Sequence, residues 1–171
     1  MLDADERVTE ELKKEIAAAV ASDECRGYFI PRKNFFLGKW IRHGGWSPDY
    51  TMRLFRKDSA HMEQREVHEK IVVNGKTGCL KNPMEHYTYR KISDYLKKMD
   101  SYSSLAAKEL RRKGKAFRLH YLFVKPPFTF LRMFLLRQGF RDGAYGFILA
   151  MLYSVYTFLK YLKLWELQKP Q

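Results

Sequence analysis

The chain has 171 residues, enough for one domain with a helical extension, and its 46% apolar and 15% aromatic content excludes a disordered polar protein. Its net charge of +13 is uneven, because residues 1–25 carry −5 and the remainder carries +18. Cys25 and Cys79 have no metal-type spacing, which predicts reduced thiols in a cytoplasmic environment. The charged start of the sequence does not match a secretory signal, which also predicts a cytoplasmic location.

Asp3 and Asp5 lie one residue apart within residues 2–6 (LDADE). On a β-strand both carboxylates would point to the same side, where they could bind a hard divalent cation together with substrate phosphates. The alternative is an acidic helix N-terminus, because Asp and Glu are common in a first helical turn. The pentapeptide alone favours the helix N-terminus, whereas the rest of the chain favours the cation-binding strand.

Residues 9–22 predict a helix with Thr9 as its cap, since they contain strong helix formers and no Gly or Pro. Residues 28–31 predict a short strand that delivers Arg32 and Asn34 to a loop, and residues 50–56 predict another strand. The β-branched run 70–73 ends at Asn74-Gly75, which predicts a hairpin with a partner strand from Thr77.

Residues 93–112 predict a long amphipathic helix that ends before Gly114. After Pro126-Pro127, two apolar helices are expected at 128–137 and 144–165, separated by residues 139–143. Residues 143–159 are uncharged, and 17 residues is the lower edge of what can cross a bilayer. Aromatic residues are spread along this segment, which favours an in-plane interfacial helix over a spanning one. Packing of the helix on the preceding domain is the other alternative.

Basic residues are interleaved with aromatic ones in the second half of the chain, and this pattern suits an anionic membrane surface better than a nucleic acid. The expected contacts with the membrane include four aromatic side chains of the last two helices: Phe128, Phe134, Phe147 and Trp165.

Five blocks carry a resemblance, in this order: residues 2–8 (LDADERV), 32–38 (RKNFFLG), 45–55 (GWSPDYTMRLF), 67–69 (VHE) and 139–147 (GFRDGAYGF). Together they resemble the catalytic half of family 2 glycosyltransferases with the GT-A fold, in the branch that builds lipopolysaccharide core. The resemblance implies an α/β fold, with a partial, Rossmann-like GT-A half over residues 1–92 and a helical membrane-interface region over 93–171. The family places a nucleotide-binding βαβ half before the Asp-x-Asp motif, so that half is expected to be lacking here.

The resemblance also implies the chemistry: inverting, metal-dependent transfer of a sugar from a nucleotide sugar. Asp5 would bind Mg²⁺ or Mn²⁺, Asp3 would lie by the ribose, and His86 could complete the metal shell. Glu69 is the expected base for the acceptor hydroxyl. Since the family commonly has a Glu-Asp pair where this chain has His68-Glu69, His68 is the alternative base.

Five residues are expected to line the substrate cleft: Arg32, Asn34, Trp46, Asp49 and Arg53. Arg53 could face the diphosphate or a sugar hydroxyl through its planar fork of donors, or it could pair with a core carboxylate. Trp46 could stack on a pyranose or serve as a core aromatic.

The expected function is therefore transfer of a sugar to lipopolysaccharide core or another lipid-linked glycan by a cytoplasmic protein peripheral to the inner membrane, with no nucleic-acid partner. Two alternatives remain open. One is a non-catalytic remnant that keeps the acceptor side and the membrane helices. The other is a basic membrane-binding or nucleic-acid-binding protein in which Asp3 and Asp5 are accidental.

Overall fold

A computed structural model describes residues 2–63 and 70–169. The chain divides into two compact units. The first comprises the described residues of 1–42 and 46–88, and the second comprises residues 43–45 and those described from 89 onward. The expectation of an α/β fold is confirmed: a mixed sheet accompanies four α-helices in the described residues.

The strands of the described residues are β1 (Glu6–Arg7), β2 (Gly27–Phe36), β3 (Lys39–Trp40), β4 (Tyr50–Phe55), β5 (Ala60–Glu63), β6 (Lys70–Val73), β7 (Thr77–Cys79) and β8 (Met84–Tyr89). The main sheet has the order β1-β8-β2-β3, and β4 and β7 also pair with β2. The pairs of β1 with β8, β2 with β3 and β2 with β4 are antiparallel, whereas β2 and β7 run parallel. Strand β2 therefore organises the sheet.

Two strand predictions are corrected. The strand predicted for residues 28–31 extends over ten residues, so Arg32 and Asn34 lie within β2 and not in a loop. The predicted hairpin at Asn74-Gly75 is wrong, because β6 pairs with β5 and β7 pairs in parallel with β2. Pairing with β2 and β5 outweighs the local turn signal of Asn-Gly.

Helix α1 (Glu10–Ser22) confirms the first predicted helix. The Thr9 hydroxyl caps it by accepting a hydrogen bond from the Leu12 amide at 3.2 Å. Its inner face packs on the sheet, where Leu12, Ile30, Leu80 and Met84 form a buried cluster. Removal of this apolar surface from water supplies the main stabilising term of the first unit.

The helices of the second unit are α2 (Ile92–Arg112), α3 (His120–Leu131) and α4 (Ala144–Gln168). A π-helical turn (Arg132–Leu136) and a 3₁₀ turn (Gly139–Asp142) connect α3 to α4. The structure confirms the helices predicted for 93–112 and 144–165. Among the described residues, α4 is the helix long and apolar enough to cross a membrane, by length and composition.

The helix predicted for residues 128–137 is corrected, because α3 begins at His120 and contains both Pro126 and Pro127. Consecutive prolines remove intrahelical donors and normally end a helix. The bonds lost are those to the carbonyls of Leu122 and Phe123, four residues earlier. Hydroxyl groups add other bonds to the carbonyls beside the prolines: Ser154 of α4 donates to the Pro126 carbonyl at 2.9 Å, and Thr129 donates to the Lys125 carbonyl at 2.9 Å. The second unit thus tolerates a proline pair that the sequence alone predicts to be a helix boundary.

Candidate functional site

A group of charged and polar side chains lies on one part of the first unit, and we call it the charged cluster. Its members are four carboxylates, two guanidinium groups, one amide and one imidazole. They are Asp3 and Asp5 before β1, Glu6 on β1, Arg32 and Asn34 on β2, Asp49 just before β4, Arg53 on β4 and His86 on β8. Arg32 and Asn34 alternate along β2, which puts them on the same face. Glu6 and His86 are register partners in the pairing of β1 with β8.

Asp3 and Asp5 precede β1. The prediction that their carboxylates share one side of a strand is therefore wrong. The Glu6 amide donates to the Asp3 carbonyl at 3.1 Å, so residues 3–6 form a turn. This turn sends the two carboxylates to different partners. Asp3 pairs with the Arg53 guanidinium, whereas Asp5 Oδ2 lies 3.5 Å from His86 Nε2.

Glu6 is the buried centre of the charged cluster. Its side chain is fully buried and accepts hydrogen bonds from Arg53 Nη2 at 2.8 Å and from Arg53 Nε at 3.2 Å. Its other oxygen accepts from the Asp3 amide at 3.1 Å, which fixes the turn. Burial by itself would lower the pKa of Arg53, but the carboxylates of Glu6 and Asp3 outweigh burial and raise that pKa. Arg53 therefore serves as the partner of a buried carboxylate, one of the two roles left open above.

A second ion pair positions Asn34. Asp49 Oδ2 accepts from Arg32 Nε at 2.9 Å and from Asn34 Nδ2 at 2.7 Å. The same Asn34 nitrogen donates to the Trp46 carbonyl at 3.1 Å. Because its NH₂ group contacts two acceptors, the Asn34 oxygen is identified without ambiguity, and it lies 2.6 Å from His86 Nδ1.

This contact determines the tautomer of His86. An amide oxygen can only accept, so Nδ1 must carry the proton that it donates to Asn34. Burial and the nearby Arg32 lower the pKa of His86, although the carboxylates of Asp5, Glu6 and Asp49 oppose them. In the resulting neutral ring, Nε2 presents a lone pair toward the Asp5 carboxylate. Two electron-rich groups then face each other at 3.5 Å, an arrangement that a cation between them would stabilise.

The charged cluster fits a divalent cation with few protein ligands. It contains four carboxylates and two guanidinium groups, so it carries −2 when His86 is neutral. Asp5 and His86 are two adjacent donors, and Mg²⁺ or Mn²⁺ at a phosphate site commonly uses one or two protein ligands plus phosphate oxygens and water. The described residues contain no group of three or more His, Cys, Asp or Glu side chains that could hold a metal by themselves. A substrate phosphate would have to complete the shell.

The structure gives less support to the predicted sugar platform. Trp46 is 8% exposed, and its indole packs edge-on against Phe36 with ring centroids 6.0 Å apart. Its burial favours the core-aromatic interpretation. The predicted base Glu69 and its alternative His68 lie outside the described residues, so both stay predictions.

In the second unit, His43 has a partner that sequence reasoning missed. The His43 amide donates to Asp142 Oδ2 at 2.8 Å, and His43 Nδ1 lies 3.2 Å from Asp142 Oδ1. Asp142 is buried and belongs to the sequence block 139–147. These residues are 99 positions apart, so no local pattern indicates the contact.

The expected membrane-contact residues have different surroundings. Phe128, Phe147 and Trp165 are exposed on α3 and α4. Phe134 is half-buried and stacks with Phe130 at 5.4 Å.

Comparison with known proteins identifies homologues named as glycosyltransferases. The chain is 30% identical, over 96% of its length, to the lipopolysaccharide core biosynthesis glycosyltransferase LpsC of Rhizobium meliloti, of which it covers 62%. It is 29% identical to an uncharacterized glycosyltransferase of Rickettsia typhi and 28% identical to one of Rickettsia prowazekii, in each case over 97% of this chain and 61% of the relative. The chain thus spans about three fifths of the length of the curated relatives it matches. No protein-family profile matches it, and neither does any solved structure.

Proposed function

We propose that this chain forms part of a glycosyltransferase that moves a sugar from a nucleotide sugar to lipopolysaccharide core or another lipid-linked glycan. The observation that carries the proposal is the pairing of Asp5 with the lone pair of His86 Nε2 inside a cluster of net charge −2. The homologues named as glycosyltransferases support the reaction class.

In this proposal Asp5 and His86 hold Mg²⁺ or Mn²⁺. A metal bound there would neutralise charge on the departing diphosphate. The protein's own contribution is orientation. Asn34 fixes the plane and tautomer of the His86 ring, and Asp49 fixes Asn34. Such outer partners commonly change metal affinity by about 10- to 100-fold.

The family resemblance implies the remaining parts of the mechanism, which stay part of the proposal. Glu69 would take the proton from the acceptor hydroxyl in an inverting displacement, and His68 is the alternative base. Arg32 and Arg53 are already paired with Asp49 and Glu6, so we assign both to positioning the cluster. The site would work at the cytoplasmic face of the inner membrane, which the apolar character of α4 supports.

A second candidate is a non-catalytic membrane-binding protein, in which the charged cluster only stabilises the sheet. The internal pairing of Glu6 with Arg53 and of Arg32 with Asp49 favours it, since structural ion-pair networks satisfy themselves in this way. Metal binding separates the two candidates.

The test is titration of the full chain with Mn²⁺, followed by electron paramagnetic resonance, with and without a panel of nucleoside diphosphates. We expect Asp5→Asn and His86→Gln each to weaken Mn²⁺ binding by at least about 10-fold, and Asn34→Leu to weaken it by about 10- to 100-fold. Asp58→Asn is the matched control, because Asp58 is exposed and pairs with Arg56 outside the cluster. Equal Mn²⁺ affinity in wild type and Asp5→Asn would remove Asp5 from the site and favour the non-catalytic candidate.

A further inference from the structure

Three lysines of the second unit surround a pair of tyrosines. Tyr121 of α3 and Tyr161 of α4 have ring centroids 5.0 Å apart. Lys115, which follows α2, and Lys125 of α3 place their ammonium groups 5.6 Å and 5.9 Å from the Tyr121 ring. Lys160 of α4 lies 5.0 Å from the Tyr161 ring. We call these three lysines and two tyrosines the lysine–tyrosine site.

The described residues supply no carboxylate that forms an ion pair with these three lysines. The neighbouring lysines show the contrast: Lys113 pairs with Glu109, and Lys163 pairs with Asp100 and also donates to Ser103 and Ser104. Burial and the proximity of Lys125 lower the pKa of Lys160. Like charges held together without a counterion indicate a place for an anion.

The anion's source is indicated by the apolar surface of the same helices. Exposed apolar side chains recur along α4 at helical spacing, at Phe147, Met151, Val155, Phe158 and Trp165. This stripe extends over 19 residues, whose 18 steps span about 27 Å of helix. Exposed apolar side chains also occur just before and along α3, at Leu119, Phe123, Val124, Phe128 and Leu131. A free phosphate cannot contact such an apolar surface, whereas a lipid can contact the lysines through its phosphate and the apolar surface through its acyl chains.

Lys160 of the lysine–tyrosine site lies on the side of α4 opposite the stripe. Lys160 follows Met151 by nine residues, which is a rotation of roughly 180° at 100° per residue. The face of α4 opposite the stripe also packs on α2 through Lys163 and Asp100. If α4 lies in the membrane plane with its stripe toward the acyl chains, Lys160 stands about one helix diameter higher, at the level of the phosphates.

Charge favours a lipid over a second copy of this chain as the occupant. Residues 89–171 contain 17 basic and five acidic residues, a net charge of +12, so this stretch carries nearly all of the chain's excess charge. Two such surfaces would repel each other, whereas an anionic bilayer attracts each of them.

We propose that the hairpin of α3 and α4 lies in the plane of one bilayer leaflet and that Lys115, Lys125 and Lys160 bind the phosphate of an anionic lipid. This inference uses the second unit alone and holds whether or not the charged cluster of the first unit transfers a sugar.

The test is co-sedimentation of the full chain with vesicles of phosphatidylcholine alone or mixed with phosphatidylglycerol. The lysine variant is K115Q/K125Q/K160Q. The matched control K97Q/K108Q/R111Q removes three exposed charges from α2. We expect the lysine variant to lose about 100-fold in partitioning to anionic vesicles, and the control to lose a few-fold at most. Circular dichroism verifies that both variants keep their helices.

Two further measurements distinguish a membrane lipid from a free phosphate as the occupant of the lysine–tyrosine site. Inorganic pyrophosphate at the ionic strength of the assay should leave vesicle binding unchanged, while M151S/V155S should weaken it. Mn²⁺ binding by the first unit should be equal in all these variants, which separates this test from that of the proposed function.

Three results would each overturn the inference. They are equal losses in the lysine variant and the control, displacement from vesicles by pyrophosphate, and a stable dimer in sedimentation equilibrium that M151S/V155S dissociates.

Discussion

Glu6 should matter more for the stability of the first unit than any other acid in the opening residues. Its side chain is fully buried, and that of its partner Arg53 is 10% exposed. Removing one member of a buried ion pair typically costs about 3–5 kcal/mol, because the other charge stays buried without compensation. Glu6→Gln keeps the shape and one acceptor oxygen, so we expect the lower limit, about 3 kcal/mol.

This loss is large enough to measure by urea unfolding. In a chain of this size it corresponds to a fall of about 6–12 °C in the midpoint of thermal unfolding. Trp40 and Trp46 lie in the first unit and Trp165 in the second. Tryptophan fluorescence in a Trp165→Phe background therefore follows the first unit alone.

A double-mutant cycle tests the assigned cause. Arg53→Met replaces the guanidinium by an apolar side chain, and in the double variant neither charge is left alone in the interior. We expect the double variant to be more stable than the sum of the single effects predicts, by about 2 kcal/mol. Additive effects, or a midpoint of thermal unfolding for Glu6→Gln equal to that of wild type, would refute the assigned role of Glu6. Asp58→Asn, which breaks an exposed pair, should leave the midpoint nearly unchanged.

Other changes test separate parts of the molecule. Glu15 accepts the Lys81 and Asn82 amides at 2.8 Å; partial burial opposes these bonds but does not cancel them, so the pKa of Glu15 is lowered. Its contribution is therefore present above the unfolded pKa and lost as the pH falls through the folded pKa, and Glu15→Gln should cost about 1 kcal/mol at pH 7 and less at pH 3. Lys163→Met should loosen the contact of α4 with α2, measured as faster amide hydrogen exchange in both helices. In a chain that turns over donor, Glu69→Gln should lower turnover by about 100-fold or more while nucleotide binding persists.

Each of these has a contrary outcome. A stability loss for Glu15→Gln that is equal at both pH values would mean that packing, and not the carboxylate, matters at this position. Unchanged exchange in Lys163→Met would show that its bonds contribute nothing to the second unit. Full turnover in Glu69→Gln together with a loss in His68→Ala would move the base to His68.

The sequence predicted the helices with strong local signals and missed what depends on distant contacts. Helices α1, α2 and α4 follow from helix propensity and hydrophobic period, and all three form as expected. The hairpin at Asn74-Gly75 failed because β6 pairs with the preceding strand β5, while β7 pairs with β2, which lies far away in sequence. A turn signal specifies where the chain reverses but not which strand it joins.

In the charged cluster, too, the residue types are visible in the sequence but their contacts depend on the fold. Asp3, Asp5 and Glu6 look alike in the sequence, as neighbouring acids in one pentapeptide. Only the fold separates them, since it buries Glu6, pairs Asp3 with Arg53 and leaves Asp5 beside His86. The tautomer of His86 depends on Asn34, 52 residues away, so no local pattern could supply it.

The prolines of α3 bear on the order in which the second unit can form. Each removes an intrahelical donor and costs about 3 kcal/mol in an ordinary helix interior. The Ser154 hydroxyl that satisfies the Pro126 carbonyl belongs to α4, and so does Thr157, which contacts Thr129. These contacts with α4 stabilise a segment that the prolines weaken, so we expect residues 120–131 to form a stable helix only once α4 packs on them. Because α4 is synthesised after α3, we expect the apolar segment to gain stable helical structure only after residues 154 and 157 of α4 have been made.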